Sequence, residues 1–324
     1  MRTVLAVVLG CSLVSLGAAP AHAAWNFELG IGEQQAHMFS DPRFAALGLE
    51  RVRLVVPYDV ACAPGKHLYY TDVYLGEAER AGVRPLVAFS ISWRRGHRWT
   101  LPSYRTFLRC FRAFHRRYPQ VTDFNPWNEA NHSSQPTFRH PKRAAGFYNA
   151  VRRACRRCTV AAGDLLDWSL MRGWFEKYRP YLRGRPRLWS IHSYLDVNNP
   201  RPWRRSATRK LLRWTRGTLW ITEAGGVVHS RRWDGHDERR AARATRQMFA
   251  LARRSPRITR LYAYQWQASC DRDAWDSAWF RADGSARPAY QVIVGKLARE
   301  RGLNLAAALD PPLGADLRDT CDDR

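Results

Sequence analysis

Lysine is scarce in this 324-residue chain. Only Lys66, Lys142, Lys177, Lys210 and Lys296 contribute to its 53 basic residues; the rest are Arg. Acids are also few, 28 in all, so the formal net charge is +25. A biased codon composition accounts for so uniform an Arg enrichment. Pairs such as Arg152-Arg153, Arg239-Arg240 and Arg253-Arg254 fall on helical patterns with a solvated face. So positive a field attracts polyanions of any kind. Basic stretches with Trp, such as RPWRRSATRK, come without a nucleic-acid-binding motif, and no specific nucleic-acid partner is expected.

Several catalytic signatures are missing too. GIGEQQ, after the first apolar run, lacks the G-x-G-x-x-G spacing of a dinucleotide loop. There is no H-E-x-x-H zinc motif and no G-x-S-x-G nucleophile elbow. DRDAWD, residues 271–276, lacks the Gly and terminal Glu of a calcium loop and reads as solvated loop. The expectation is no cofactor and no metal. No segment beyond the N-terminus approaches the roughly 20 apolar residues of a membrane span.

The first residues do carry a signal. Arg2, an apolar run from Val4 to Leu16, and Ala21-His22-Ala23 have the layout of a secretory signal peptide cleaved after Ala23. Lipoprotein processing at Cys11 is the lesser alternative. The expected organisation is a signal peptide over 1–23, one domain over 24–302 and an acidic tail over 303–324, with Asp310, Asp316, Asp319, Asp322 and Asp323, packed on or near the basic body. Beyond the signal stand Cys62, Cys110, Cys155, Cys158, Cys270 and Cys321. An even count in an exported chain implies disulfides. Spacing does not choose the pairing, although Cys155-x-x-Cys158 suits a local bridge better than a zinc site, since no second C-x-x-C exists.

Apolar, β-branched runs alternate with helical patterns. Strands are predicted over 26–32, 51–58, 84–92, 121–126, 159–165, 188–194, 218–224 and 258–266. Helices are predicted over 70–82, 101–119, 142–155, 170–178, 207–216, 237–255 and 288–302, with Ser103 as an N-cap and Gly82 as a stop. Eight βα units of just over 30 residues imply a parallel sheet buried on both faces and closed into an α/β (β/α)8 TIM barrel. Catalytic groups of such barrels stand at the carboxyl ends of the strands. The fourth strand runs into FNPWNEANH, which holds the lone carboxylate Glu129. The seventh runs into LWITEAGG, which holds Glu223. Either acid alone is an ordinary strand-end hydrogen-bonding group. Together they form the pair that a glycosidase needs.

With those two motifs in view, the chain resembles a clan A, retaining glycoside hydrolase of the "glycosyl hydrolase catalytic core" kind. NPWNEANH resembles the clan's Asn-Glu motif and WITEAGG its T-E-x-G motif. The resemblance implies Glu129 as acid/base, kept protonated near neutrality by burial and by the charge of Glu223, and Glu223 as nucleophile. It implies Arg53 and Tyr194, with His192, as neighbours of the nucleophile, Asn128 as partner of the sugar 2-hydroxyl and Trp266 as floor of the cleaved sugar's subsite. Trp127, Trp93, Glu33 and Asp164 fall at strand ends and are expected to shape the cleft, with 61–69 and 198–205 as its borders. The partner implied is a polysaccharide or oligosaccharide, with an acidic polymer suited to the net charge. The sequence leaves open the sugar, the linkage, exo or endo action and the oligomeric state. Two rivals stand beside this reading: a non-catalytic barrel binding carbohydrate or cell-wall polymer, and a polyanion-binding surface protein that uses the barrel as a scaffold.

Overall fold

Arg51–Pro57 is buried along almost its whole length. A strand covered on both faces has that pattern, and its β-branched content suits it. Seven further segments of the same kind surround it. The computed structural model describes residues 25–230, 235–269 and 274–302. In chain order they form β1 (Glu28–Gly32), α1 (Pro42–Leu47), β2 (Arg51–Pro57), α2 (Lys66–Arg80), β3 (Arg84–Ser90), α3 (Tyr104–Arg117), β4 (Asp123–Asn125), α4 (Pro141–Ala154), β5 (Thr159–Val160) and β6 (Ala162–Leu166). There follow α5 (Met171–Tyr178), β7 (Leu188–His192), α6 (Tyr194–Asn198), α7 (Ala207–Trp214), β8 (Thr218–Ala224), β9 (His229–Ser230), α8 (Glu238–Ala252), β10 (Ile258–Tyr264), β11 (Trp275–Asp276) and α9 (Pro288–Arg301).

Nine strands pair in the order β5-β4-β3-β2-β1-β10-β8-β7-β6, and every pairing is parallel. β5 and β6 are separated by Ala161 alone, whose N–H donates to Phe124 O at 3.0 Å. They are two pieces of one stave, so the sheet is an eight-stave barrel, as the eight βα units predict. A short antiparallel pair, β9 with β11, stands outside it. The predicted signal peptide, the acidic tail, Cys11, Cys270, Cys321 and the first half of DRDAWD, 271–273, lie outside the described residues. No described helix is long and apolar enough to cross a membrane.

The helices form where their patterns place them. In α3, Phe107, Cys110, Phe111 and Phe114 are buried on one face, and the Ser103 hydroxyl accepts from Thr106 N–H at 3.1 Å. α2 ends at Gly82, whose φ of +67° costs glycine little. The main core lies between barrel and helices. A smaller cluster of Leu86, Ala161, Trp220 and Tyr262 fills the barrel's interior.

Cys155 bonds Cys158, and Cys62 bonds Cys110 across 48 residues of sequence. The second bridge ties the loop after β2 to α3. By loop-closure entropy, the Cys62→Ala/Cys110→Ala double variant is expected to lose about 4 kcal/mol of stability in denaturant unfolding. A loss below about 1 kcal/mol would show that the bridge does little.

Candidate active site

At the carboxyl ends of the staves lies a cleft of about 600 Å³. Five of the expected residues line it: Asn128 and Glu129 after β4, Trp93 after β3, Tyr194 at the start of α6 and Glu223 in β8. Beneath them, Arg53, Asp164 and His192 form a charge network with no solvent exposure. Arg53 Nη1 donates to Glu223 Oε2 at 2.7 Å. Arg53 Nη2 donates to Asn128 Oδ1 at 2.6 Å and to Asp164 Oδ2 at 2.9 Å. The Tyr194 hydroxyl donates to Glu223 Oε1 at 2.8 Å, so a strong donor holds each oxygen of Glu223.

His192 joins the two glutamates. Its Nδ1 lies 3.2 Å from Glu129 Oε1 and 3.5 Å from Glu223 Oε2. Those two oxygens are therefore no farther apart than the two distances laid end to end. The other ring nitrogen, Nε2, is 3.2 Å from Asp164 Oδ2. Thr222 Oγ1 donates to Asp164 Oδ1 at 2.6 Å, and Asp164 N–H donates to Ser190 Oγ at 2.8 Å, which fixes the lower carboxylate. Glu129 and Asp164 both adopt positive φ, +46° and +56°; that region is sparsely populated for Glu, while Asp enters it more readily. Such conformations persist where the surroundings over-determine them.

Burial opposes charge on His192, but the carboxylates of Glu223 and Asp164, with hydrogen bonds to Asp164 and Glu129, push its pKa up to about 10. Burial alone would raise Glu129. The hydrogen bond and charge of His192, with His132 beyond, outweigh burial and hold Glu129 below the ordinary carboxylate value. This direction runs against the expectation that burial and Glu223 keep Glu129 protonated, because His192 favours the ionised carboxylate. His192 is expected beside Glu223; that its Nδ1 also meets Glu129 is not. Asp164 is also held below its usual value, since His192 and Arg53 overcome its burial. Burial, then the charge of Glu223, raises Tyr194 well above a free phenol and keeps it a donor.

Three expected residues lie elsewhere. Trp266 has no exposed surface; its ring packs on Phe44, Trp279 and Phe280, so it offers no floor to a sugar. Trp127 is buried behind β4, stacked on Tyr58 and Phe147, with its indole N–H donated to Gln135 Oε1. Glu33 is a staple: its oxygens accept from the N–H groups of Gln34, Gln35, Trp266 and Gln267, joining the ends of β1 and β10. Of the expected borders, 61–69 reaches the cleft through His67, which packs edge-on against Trp93 at 5.1 Å. In 198–205, Asn198 braces the loop after β8 through Gly225 O and Val227 N–H.

The walls include residues that the sequence reading passed over, chiefly Tyr264, Trp168, Trp275 and His132. Tyr264 is the last residue of β10, and Gly32 makes room for its ring: a Cβ there would stand 3.1 Å from it. Trp168 follows β6 by two residues, so the strand-end rule reaches it. Trp275 sits on the β9–β11 pair and meets Tyr194 edge-on at 4.7 Å. Gly225, two residues after Glu223, passes so close to β10 that a Cβ would lie 2.2 Å from Tyr264 O. Gly225→Ala is therefore expected to cost about 1–3 kcal/mol by crowding, read as a lower urea midpoint; an unchanged midpoint would contradict the contact. Among the described residues, the one His/Cys/acid cluster with metal-ligand spacing is His115 with Cys155 and Cys158, whose sulfurs are joined to each other.

No protein-family model and no curated protein sequence matches the chain. Its fold does have solved counterparts. It is similar to a glucosidase from Croceicoccus marinus, with 13% identity, 85% of this chain and 68% of that chain covered, and a TM-score of 0.61. It is similar to native xylanase 10B from Thermotoga maritima, with 10% identity, coverages of 85% and 96%, and a TM-score of 0.59. A GH113 β-1,4-mannanase gives 16%, 85% and 99%, with a TM-score of 0.55. The barrel is the one that these glycoside hydrolases carry, in line with the resemblance of the two glutamate motifs. At such identities the likeness is one of fold.

Proposed function

We propose that the protein is an exported, retaining O-glycoside hydrolase acting on an oligosaccharide or polysaccharide by double displacement. One observation carries the reading: Glu129 and Glu223, on staves four and seven, meet at a single imidazole nitrogen over one aromatic-walled cleft. A retaining enzyme holds its two carboxyl groups about 5–5.5 Å apart, an inverting one about 6.5–9.5 Å. The shared contact with His192 Nδ1 favours the closer pair.

Glu223 is the nucleophile. Arg53 holds one of its oxygens and Tyr194 the other, which orients it toward the anomeric carbon. Its attack forms a glycosyl ester as the bond to the leaving oxygen breaks. Glu129 delivers the proton that this oxygen takes up, with His192 as the reservoir behind it. When Glu223 becomes an ester, its negative charge leaves the network, and His192 loses part of what holds its proton. Glu129 then takes a proton from the attacking water, and the ester is hydrolysed. Asn128 Oδ1 is engaged by Arg53, which leaves its amide N–H groups for the sugar 2-hydroxyl. Trp93, Trp168 and Trp275 supply flat apolar faces for sugar rings.

Among the described residues, the acids lining the cleft are Glu129, Asp167 and Glu223, with His132 beside them, and no described Lys or Arg lines it. The acids around the reacting position favour an uncharged sugar there over the acidic polymer suggested by the net charge. Xylanase 10B from Thermotoga petrophila, a fold neighbour, is known in complex with xylobiose, an uncharged sugar. The Ala21-His22-Ala23 site and the disulfides support export.

The test is a Glu129→Ala variant on an aryl glycoside with a good leaving group, since protonation is then no longer needed in the first step. Turnover is expected to fall by roughly 10²–10⁴-fold and to rise again with azide, which replaces the activated water. Undiminished turnover, or no response to azide, would contradict the role of Glu129. A non-catalytic sugar-binding barrel would bind glycans and release no reducing ends.

A further inference from the structure

A second groove of about 630 Å³ runs along the outside of the barrel over α4. Its cations are Lys142, Arg152, Arg153 and Arg183, and its aromatic walls are Tyr104 and Tyr181. No acid lines it, and among the described residues none of the four cations makes an ion pair. This contrasts with the catalytic-face cleft, whose described lining holds three acids and no Lys or Arg.

The groove is braced. Asn149, in the middle of α4, donates through Nδ2 to Tyr181 O at 2.9 Å and accepts from Arg183 N–H at 2.9 Å. Those bonds fix the chain after α5 against α4 and set Tyr181 and Arg183 as one wall. Arg152 Nη1 lies 3.4 Å from both Tyr148 Oη and Arg183 O. Tyr181 is 46% exposed, and Lys142 Nζ stands 5.2 Å from the centre of its ring. An exposed aromatic ring with a cation over one face suits a sugar that bears a carboxylate, the ring's other face meeting the sugar and the cation its charge. α4 has 14 residues, about 21 Å of axis. Lys142 stands at its start, on the face of the barrel that bears the cleft, and Arg152 and Arg153 near its far end.

We propose that this groove is a non-catalytic binding site for an acidic polysaccharide, a carboxylate-bearing glycan chain gripped by four cations and two tyrosines. The choice of a glycan over another polyanion rests on the glycosidase reading of the cleft; the charge and shape of the groove do not. The protein thus divides its recognition, taking an uncharged sugar at the reacting carboxylates and an anionic stretch of polymer on its flank.

The experiment measures binding of a fluorescent polygalacturonate oligomer to the full protein at fixed ionic strength. Methyl-esterified oligomer, inorganic polyphosphate and single-stranded DNA serve as further probes. The triple variant Lys142→Glu/Arg153→Glu/Arg183→Glu is expected to weaken polygalacturonate binding about tenfold or more. Arg246→Glu/Lys296→Glu/Arg299→Glu removes the same charge from the α8–α9 groove and is expected to weaken it by less than about twofold. Tyr181→Ala is expected to weaken polygalacturonate severalfold and leave polyphosphate unchanged, and the esterified oligomer is expected to bind poorly. Equal losses in the two triple variants, or DNA and polyphosphate held as tightly and with the same dependence on Tyr181, would overturn the proposal in favour of a diffuse polyanion field. Thermal melts confirm that the variants fold. Hydrolysis of an uncharged aryl glycoside, followed in parallel, should not change in the groove variants; if the wild type hydrolyses nothing yet binds as expected, the cleft reading fails and the groove stands.

Discussion

Glu223→Gln is expected to reduce turnover by on the order of 10⁴-fold or more while glycan binding persists. Glutamine keeps the volume of the side chain and an oxygen for Tyr194, whose hydroxyl is 2.8 Å from Glu223 Oε1. It cannot form the glycosyl ester, and it withdraws the charge that Arg53 Nη1 meets at 2.7 Å. The loss should fall on kcat, since the interaction removed is one made in the transition state. A binding barrel without chemistry would treat the substitution as a local change in affinity. Turnover within about tenfold of the wild type would remove Glu223 from the mechanism.

Arg53→Leu carries the second large effect, on stability. Arg53 is the one guanidinium of the buried network, and it faces Asp164 and Glu223 at 2.9 and 2.7 Å. Both ends of the Arg53–Asp164 pair are almost without exposure. Removing Arg53 leaves Asp164 with His192 alone and takes the guanidinium from Glu223; breaking a buried pair in this way typically costs about 3–5 kcal/mol. Urea unfolding at neutral pH measures it, and a loss below about 1 kcal/mol would contradict the network as described. The same network sets a pH dependence. His192 has its folded pKa raised to about 10 from an ordinary 6.5. Its stabilisation is complete below about pH 6.5 and fades as the pH climbs toward 10, because the unfolded chain has already released that proton. Asp164 behaves in the opposite sense: depressed in the fold, it stabilises above its ordinary value of 3.8, and that stabilisation is lost as the pH falls. The melting temperature should therefore decline between about pH 6.5 and 10, and His192→Gln should flatten that limb. An identical decline in the variant would place its cause elsewhere.

The barrel was legible because its strands are buried on both faces and read as unbroken apolar runs; β8 occupies the predicted 218–224. Short pieces were not legible. α6 has five residues and β9 and β11 two each, too few for periodicity to register. The strand-end rule brought Asn128, Glu129, Glu223 and Trp93 to one cleft, because the end of a stave is a position the chain order marks, and the resemblance added Tyr194. It failed where the end was misjudged. The predicted last strand ran to 266, whereas β10 stops at Tyr264. Trp266, two residues on, keeps the strand's alternation on paper, but the Glu33 carboxylate holds its N–H and its ring turns into the core. Trp127 and Glu33 failed for a related reason: a residue beside a strand end can face outward, and period-two alternation says nothing once the chain leaves the sheet. The position of His192 between two acids depends on three staves at once, which no local pattern records.

Trapping the covalent intermediate tests the central claim most directly. The wild type would be incubated with a set of 2-deoxy-2-fluoro β-glycosyl fluorides of the xylo, gluco and manno series, then digested and mapped by mass spectrometry. The glycosidase account predicts one sugar attached to the peptide containing Glu223, and no label on that peptide in Glu223→Gln. A label on a different carboxylate, or glycoside hydrolysis that proceeds with no sugar ever found on Glu223, would contradict it.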